Sequence, residues 1–260
     1  VIESEEKPLE IFKPNDKGFF SLLGESFKFF LLHLPAIATI VVPVFLVVEI
    51  LVPLLSNFIP GLADDLTGVT FLDDLLNDII RVIIIALIGA IIGGIAWIAT
   101  IRVIASSIRG EKIPPIQAMR DGTAMLPMFV VTAIIYYLIV FIGAIFFIVP
   151  GIVLGIYFIF WQFSYVLRGK GAFSALSYSK DLVSGNFIRV SLNVVGIWIV
   201  MYVLNNVVIG LIASNVATLV GEDGSIPYLI VNAIFTALGK VFEGVRIIFL
   251  LSLFKDLEKS

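Results

Sequence analysis

The chain reads as an all-α, polytopic membrane protein, and three observations predict that class. Of its 260 residues, 60% are hydrophobic and 14% charged, with a mean hydropathy of +1.10. A soluble domain is nearer half apolar and a quarter charged, and a chain of this length cannot hide the excess from water by folding alone. Six windows are long and apolar enough to cross a bilayer, which takes about 20 residues. The Lys and Arg residues then fall almost entirely on one side of those windows, as the positive-inside rule demands.

The windows are residues 35–58, 79–104, 126–149, 152–167, 187–213 and 227–254. The fourth is short but follows Pro150-Gly151, a pair that reads as a tight turn. The third and fourth windows could also be one long segment; proline followed by glycine favours a break and a helical hairpin. One side collects Lys7, Lys13, Lys17, Lys28, Arg102, Arg109, Lys112 and Arg120. It also takes Arg168, Lys170, Lys180, Arg189, Arg246, Lys255 and Lys259. The opposite side has Arg81 and is otherwise acidic, with Asp64, Asp65, Asp73, Asp74 and Asp78 in one loop and Glu222 and Asp223 in another. An even number of spans with this asymmetry puts both termini in the cytoplasm. Residues 1–18 form a polar cytoplasmic segment with Glu3, Glu5, Glu6 and Glu10 and no apolar run, so they do not read as a cleaved signal peptide. Residues 19–260 form a single transmembrane domain.

Each odd-numbered span is preceded by a moderately amphipathic stretch: residues 19–34, 115–125 and 171–185. Lys28 and Pro35 in the first match Arg120 and Pro127 in the second at the same offset, and the third keeps Lys180 but has Asn186-Phe187 where the proline would be. The expectation is a pseudo-threefold repeat, each unit an interfacial helix followed by a transmembrane hairpin. Any basic lead-in to a span has a similar appearance, so the bland reading stands beside it.

Within residues 114–193, the turn VPGI, a short span and an ALxxSxxLVxGNxxR helix follow one another. The pattern is carried by Val149, Pro150, Gly151, Ala175, Leu176, Ser179, Leu182, Gly185, Asn186 and Arg189. In this the chain resembles the YciC-like bacterial inner-membrane proteins, and it is similar to the membrane domain of some glycerophosphodiester phosphodiesterases. The resemblance covers about a third of the chain by motif and implies a multi-pass protein of a prokaryotic plasma membrane. It implies no activity, and the chain carries no phosphodiesterase domain to which that chemistry could be transferred.

Composition excludes several classes. A net charge of −3 and a pI of about 5.2 give nucleic-acid binding no electrostatic support. With no cysteine, a single histidine, no serine elbow and no HExxH, neither a hydrolytic nor a metal-dependent active site is expected, and no cofactor is implied. His33 reads as interfacial packing. The stretch FLDDLLND at residues 71–78 resembles an aspartate-rich diphosphate motif only poorly, because Asn77 stands where the second acid belongs. Ionisable residues inside spans are costly and functional by default. In the sixth window Lys240, Glu243 and Arg246 are spaced by three, so Glu243 can pair with either base. Glu49 lies in the first window between Pro43 and Pro53, within reach of Arg81 as a partner. Against an ion or proton relay stands a self-satisfied set, with Arg246 snorkelling to headgroups. Asn193, Asn205, Asn206 and Asn232 are expected to bond between helices. Ala86, Gly89, Ala90, Gly93 and Gly94 make a small-residue face suited to packing within the chain or between protomers.

Two functions follow from different features. The first is a non-enzymatic accessory or membrane-organising component that works through lipids, another membrane protein or a second copy of itself. The second is a transporter or channel for an ion or small solute, using Glu49, Lys240, Glu243 and Arg246. A cavity reaching Lys240 and Glu243 is the feature that discriminates between them.

Overall fold

The structure, a computed structural model, describes residues 18–56, 68–221 and 225–258, and the regular elements among them are helices. These are α1 (Phe19–Ser56), α2 (Thr70–Ile108), α3 (Pro115–Phe146), α4 (Ile148–Tyr157) and α5 (Trp161–Arg168), followed by α6 (Phe173–Ser184) and α7 (Phe187–Tyr202). A π-helical segment (Val203–Ile209) then runs into α8 (Gly210–Val220), and α9 (Ile226–Leu257) closes the fold. Among the described residues, five segments are long and apolar enough to cross a membrane: Phe19–Glu49, Ile91–Ile108, Pro115–Ile145, Ile148–Arg168 and Phe187–Val220. The sixth expected window lies in α9, whose apolar run is interrupted by Lys240, Glu243 and Arg246. The polar segment 1–17 and most of the acidic loops lie outside the described residues.

At the centre, α9 packs along α1, with α2 and α5 beside them. Phe30 and Ile37 of α1 press against Gly244, where a Cβ would come within 3.1 Å of the Phe30 ring. From Ile247 to Phe254 the helix α9 is buried on all sides, among Phe29, Phe160 and Phe163. The outer helices differ: only 11% of the apolar window is buried in α3 and in the α7–α8 run, against 56% in α2. Phe141, Ile145, Ile199 and Leu211 are accordingly exposed, an outward apolar surface that suits lipid better than water.

Three expectations about the helices need correction. Residues 19–34 and 115–125 are not separate interfacial helices; each continues without a break into its span as α1 and α3. Pro35 and Pro127 remove one hydrogen bond each but do not end the helix. Only the third stretch stands alone, as α6, because Gly185-Asn186 combines two poor helix formers before α7 begins. The hairpin break is at Phe147, in extended conformation (φ −160°, ψ 141°), rather than at Pro150-Gly151. Pro150 sits in the first turn of α4, where its missing N–H has no helical partner to lose. Gly151 instead serves the crossing of the hairpin: a Cβ there would lie 2.7 Å from Ala144 Cβ and 2.9 Å from Ala144 N. The acidic stretch 71–78 is not a loop but the opening turns of α2, with Asp73 buried in the first.

The fourth span is itself broken, at Phe158–Phe160 between α4 and α5. Ser179 of α6 mends the break: its hydroxyl donates to the Tyr157 carbonyl (2.9 Å) and accepts from the Phe160 N–H (3.0 Å). The serine is fully buried, so without it both backbone groups would lack water as well as protein partners.

Ion pairs tie the helices together at the basic end. Arg189 of α7 binds Asp256, and Arg102 of α2 reaches Asp121 of α3 at 2.7 Å. Glu258, just past α9, is held bidentately by Arg168 (2.7 and 2.6 Å) and by the Tyr178 hydroxyl (2.8 Å), with Lys255 at 3.3 Å. Burial works to raise the Glu258 pKa, but the Arg168 and Tyr178 hydrogen bonds and the Lys255 charge outweigh it and leave the carboxyl below its ordinary value. For a carboxyl with a lowered folded-state pKa, the stabilisation is present above the ordinary glutamate value of about 4.3 and is lost as pH falls through the folded value. Glu258→Gln is therefore expected to lower the melting temperature in detergent at about pH 7 by roughly 2–4 °C. That is about 1 kcal/mol, modest because Arg168 is 42% exposed and water shares the pair. The difference between variant and wild type should shrink as pH falls through the folded-state value; thermal unfolding across an acid pH series checks it.

Candidate functional site

Each charged residue of α9 is placed by its helix neighbours. Glu243 and Arg246 lie one turn apart, and the ion pair forms between them, with Arg246 Nε 2.6 Å from Glu243 Oε2. Glu243 thus selects Arg246 over Lys240. The two atoms are close but not aligned as a hydrogen bond, and neither has another partner although both are buried. The Arg246 guanidinium lies over the indole of Trp97 in α2, 5.0 Å from the ring centre. Trp97 is fixed in turn by its indole N–H, which donates to Gln162 Oε1 of α5 at 2.6 Å.

On the other side of Glu243 stands the π-helix. Its wider turn, one residue longer per hydrogen bond, carries Asn205 towards α9, and Asn205 Nδ2 donates to Glu243 Oε1 at 3.4 Å. Gly239 makes room for it: a Cβ there would lie 2.9 Å from Asn205 Oδ1. That oxygen is buried and lacks a hydrogen-bond partner. A continuous polar chain therefore crosses the helices from Gln162 through Trp97, Arg246 and Glu243 to Asn205.

Lys240 takes a different course. Among the described residues its ammonium meets no carboxylate, and it lies over the ring of Phe45 in α1 at 5.7 Å. Glu49, one turn further along α1, is half-buried and lines neither cavity described below. The structure does not bring it together with the α9 charges, and the side chain of Arg81, its expected partner, lies outside the described residues.

Two cavities meet at this charged set. The larger, about 810 Å³, lies between α7, the π-helix, α8 and α9, and includes Trp198, Tyr202, Asn205, Asn232 and Thr236 in its walls. The smaller, about 380 Å³, is enclosed by α1, α2, α3, α5 and α9, with Phe45, Trp97, Phe129, Tyr137 and Gln162 among its lining. Lys240, Glu243 and Arg246 line both. Volumes of this order match pockets for small organic ligands, about 300–1,000 Å³.

The other polar expectations resolve locally. Asn193 and Asn206 bond back to their own helix, to the carbonyls of Arg189 and Tyr202, so of the four asparagines Asn205 is the one with a bond to another helix. Asn232 faces the larger cavity. His33 stacks on Phe29 (4.1 Å between centroids) and its Nδ1–H donates to the Phe29 carbonyl, a packing role. Gly93 and Gly94 let α2 approach Phe45 of α1 and Leu126 of α3, which is packing within the chain. Trp97 and Gln162 were not singled out by sequence as parts of the site. The available signal was Gln162 itself, a lone amide in an apolar window.

Removing the acid leaves Arg246 facing only an aromatic ring. Glu243→Gln is expected to cost about 1–3 kcal/mol in detergent, less than the ~3–5 of a fully buried pair because the two side chains keep 20% and 28% exposure. Arg246→Met in the same chain should recover part of that loss and Lys240→Met should not, since Lys240 is not the partner. Thermal melts of the three variants decide it; rescue by Lys240→Met would contradict the pairing.

No protein-family model, no curated protein and no solved structure matches the chain.

Proposed function

We propose that the chain is a six-span integral protein of a prokaryotic plasma membrane that works non-enzymatically, through lipid contacts, as an accessory or membrane-organising component. The observation that carries this reading is the larger cavity, a mostly apolar space between outward-facing helices with Lys240, Glu243 and Arg246 gathered at one end. Such a site suits a molecule that is mostly apolar and charged at one end. In this reading α9 is the sixth span, its charges tolerated because they face protein and cavity rather than hydrocarbon. The basic end, where Arg102, Arg168, Arg189 and Lys255 gather, is the cytoplasmic face, and both termini lie there.

The second reading, transport of an ion or small solute, draws on the smaller cavity. Two spaces separated by a single charged pair resemble an occluded path, and a π-helix is a frequent feature of sites that move.

The chain has no cysteine of its own, so single cysteines at Ser4, Asp65, Ser174 and Asp223 report sidedness directly. An impermeant thiol reagent applied outside is expected to label positions 65 and 223 and to leave 4 and 174 unmodified; labelling at 174 overturns the topology. Reconstituted into vesicles, the wild-type chain is expected to pass no proton or ion flux. A flux that Glu243→Gln abolishes while the protein stays folded replaces the lipid-contact reading with transport.

A further inference from the structure

Charge balance and shape narrow what the larger cavity accepts. Along α9 its lining runs from Tyr228 to Arg246, a rise of roughly 27 Å at 1.5 Å per residue. The three charges occupy the last seven of those residues, and the rest of the lining mixes Val195, Ile199, Ala213 and Phe235 with uncharged polar groups such as Asn232 and Thr236. The cavity is therefore charged at one end and uncharged, with a largely apolar wall, along the rest of its length. Its charged end is also unbalanced: two cations, Lys240 and Arg246, face one carboxylate. Glu243 is engaged by Arg246, whereas Lys240 is exposed and, among the described residues, its ammonium meets an aromatic face at 5.7 Å and no carboxylate. The guanidinium has N–H donors beyond the Nε atom that faces Glu243. An anion placed beside Lys240 gains a charge-assisted contact that nothing else in the cavity supplies, while a cation there meets a net positive charge.

We propose that this cavity binds an amphiphile with a single acyl chain and an anionic headgroup, a phosphate or a carboxylate, with the headgroup held by Lys240 and Arg246 and the chain lying along α9 between α7 and α8. The proposal rests on the lipid-contact reading and adds the headgroup class and its orientation. Trp198 lies in the wall of this cavity, while Trp97 lines the smaller one and Trp161 is buried in the core. A bound acyl chain therefore comes close to Trp198 in particular.

The test is tryptophan quenching by brominated single-chain lipids added to the full chain in a mild detergent. A brominated lysophosphatidylglycerol is expected to quench saturably, and Trp198→Phe is expected to remove the saturable component. A brominated lysophosphatidylcholine should need about tenfold higher concentration, the factor that one charge-assisted contact is worth. Lys240→Gln should weaken the anionic lipid by about the same factor, and Lys240→Arg should largely restore it. Competition by inorganic phosphate alone at the concentration of the lipid would show a free-anion site and overturn the amphiphile. Equal quenching by the two lipids would overturn the anionic headgroup and leave the lipid-contact reading intact. Saturable quenching that persists in Trp198→Phe would place the lipid elsewhere and overturn this site. No saturable quenching by either lipid would overturn both the inference and the reading beneath it.

Discussion

Where water is scarce, an unpaired backbone N–H or C=O costs several kcal/mol, and the helices of this chain are interrupted at places where that cost falls due. The break at Phe158–Phe160 survives because Ser179 of α6 serves as donor to one side and acceptor to the other. The same face of α6 buries Ala175, Leu176 and Val183, so apolar packing and the hydroxyl's two bonds hold α6 in place together. The π-helix is the second interruption. It keeps its backbone paired by a longer register, so the chain gains a displaced turn without exposing its carbonyls. Both of these departures from α-helix keep their backbone groups paired.

The same economy of partners shapes the charges. Glu243, Arg246 and Lys240 share one helix face yet end in different environments. An ion pair joins the half-buried Glu243 and Arg246, an indole face covers Arg246, and a phenyl face lies beside the exposed Lys240. The ion pair is short but poorly aligned, flanked by Asn205 with an unanswered carbonyl oxygen. A set so arranged is held together without being saturated. It has capacity left for a ligand group, and it is placed where two cavities converge. By contrast, the Glu258 cluster at the basic end is saturated by Arg168, Tyr178 and Lys255, and its role is to fasten α5, α6 and α9 together.

The helical class, the apolar windows and the position of the charges were legible in sequence because each depends on composition over about twenty residues or on a spacing of three. The lead-in stretches were legible as amphipathic, but whether they break from the spans was not. Proline at 35 and 127 left the helix intact and Gly185-Asn186 did not, a choice that turns on a small local propensity difference and on what packs nearby. The hairpin break moved from Pro150-Gly151 to Phe147 for a related reason: glycine was needed where α3 and α4 cross, and proline is harmless in a first turn.

What this sequence determined by itself was that lipid-length apolar helices dominate and that three charges would share one face of an apolar helix. Which charge pairs with which was decided only by the tertiary structure. Lys240 and Arg246 are both three residues from Glu243, and intrahelical spacing treats them almost alike. Trp97, held by Gln162 from a helix 65 residues away, offers its ring to Arg246, and Phe45 of α1 offers its ring to Lys240. Asn205 completes the site because a π-helical turn carries it there and Gly239 leaves it space. Contacts between distant segments set the local field, and the field, rather than the spacing, assigns the partners.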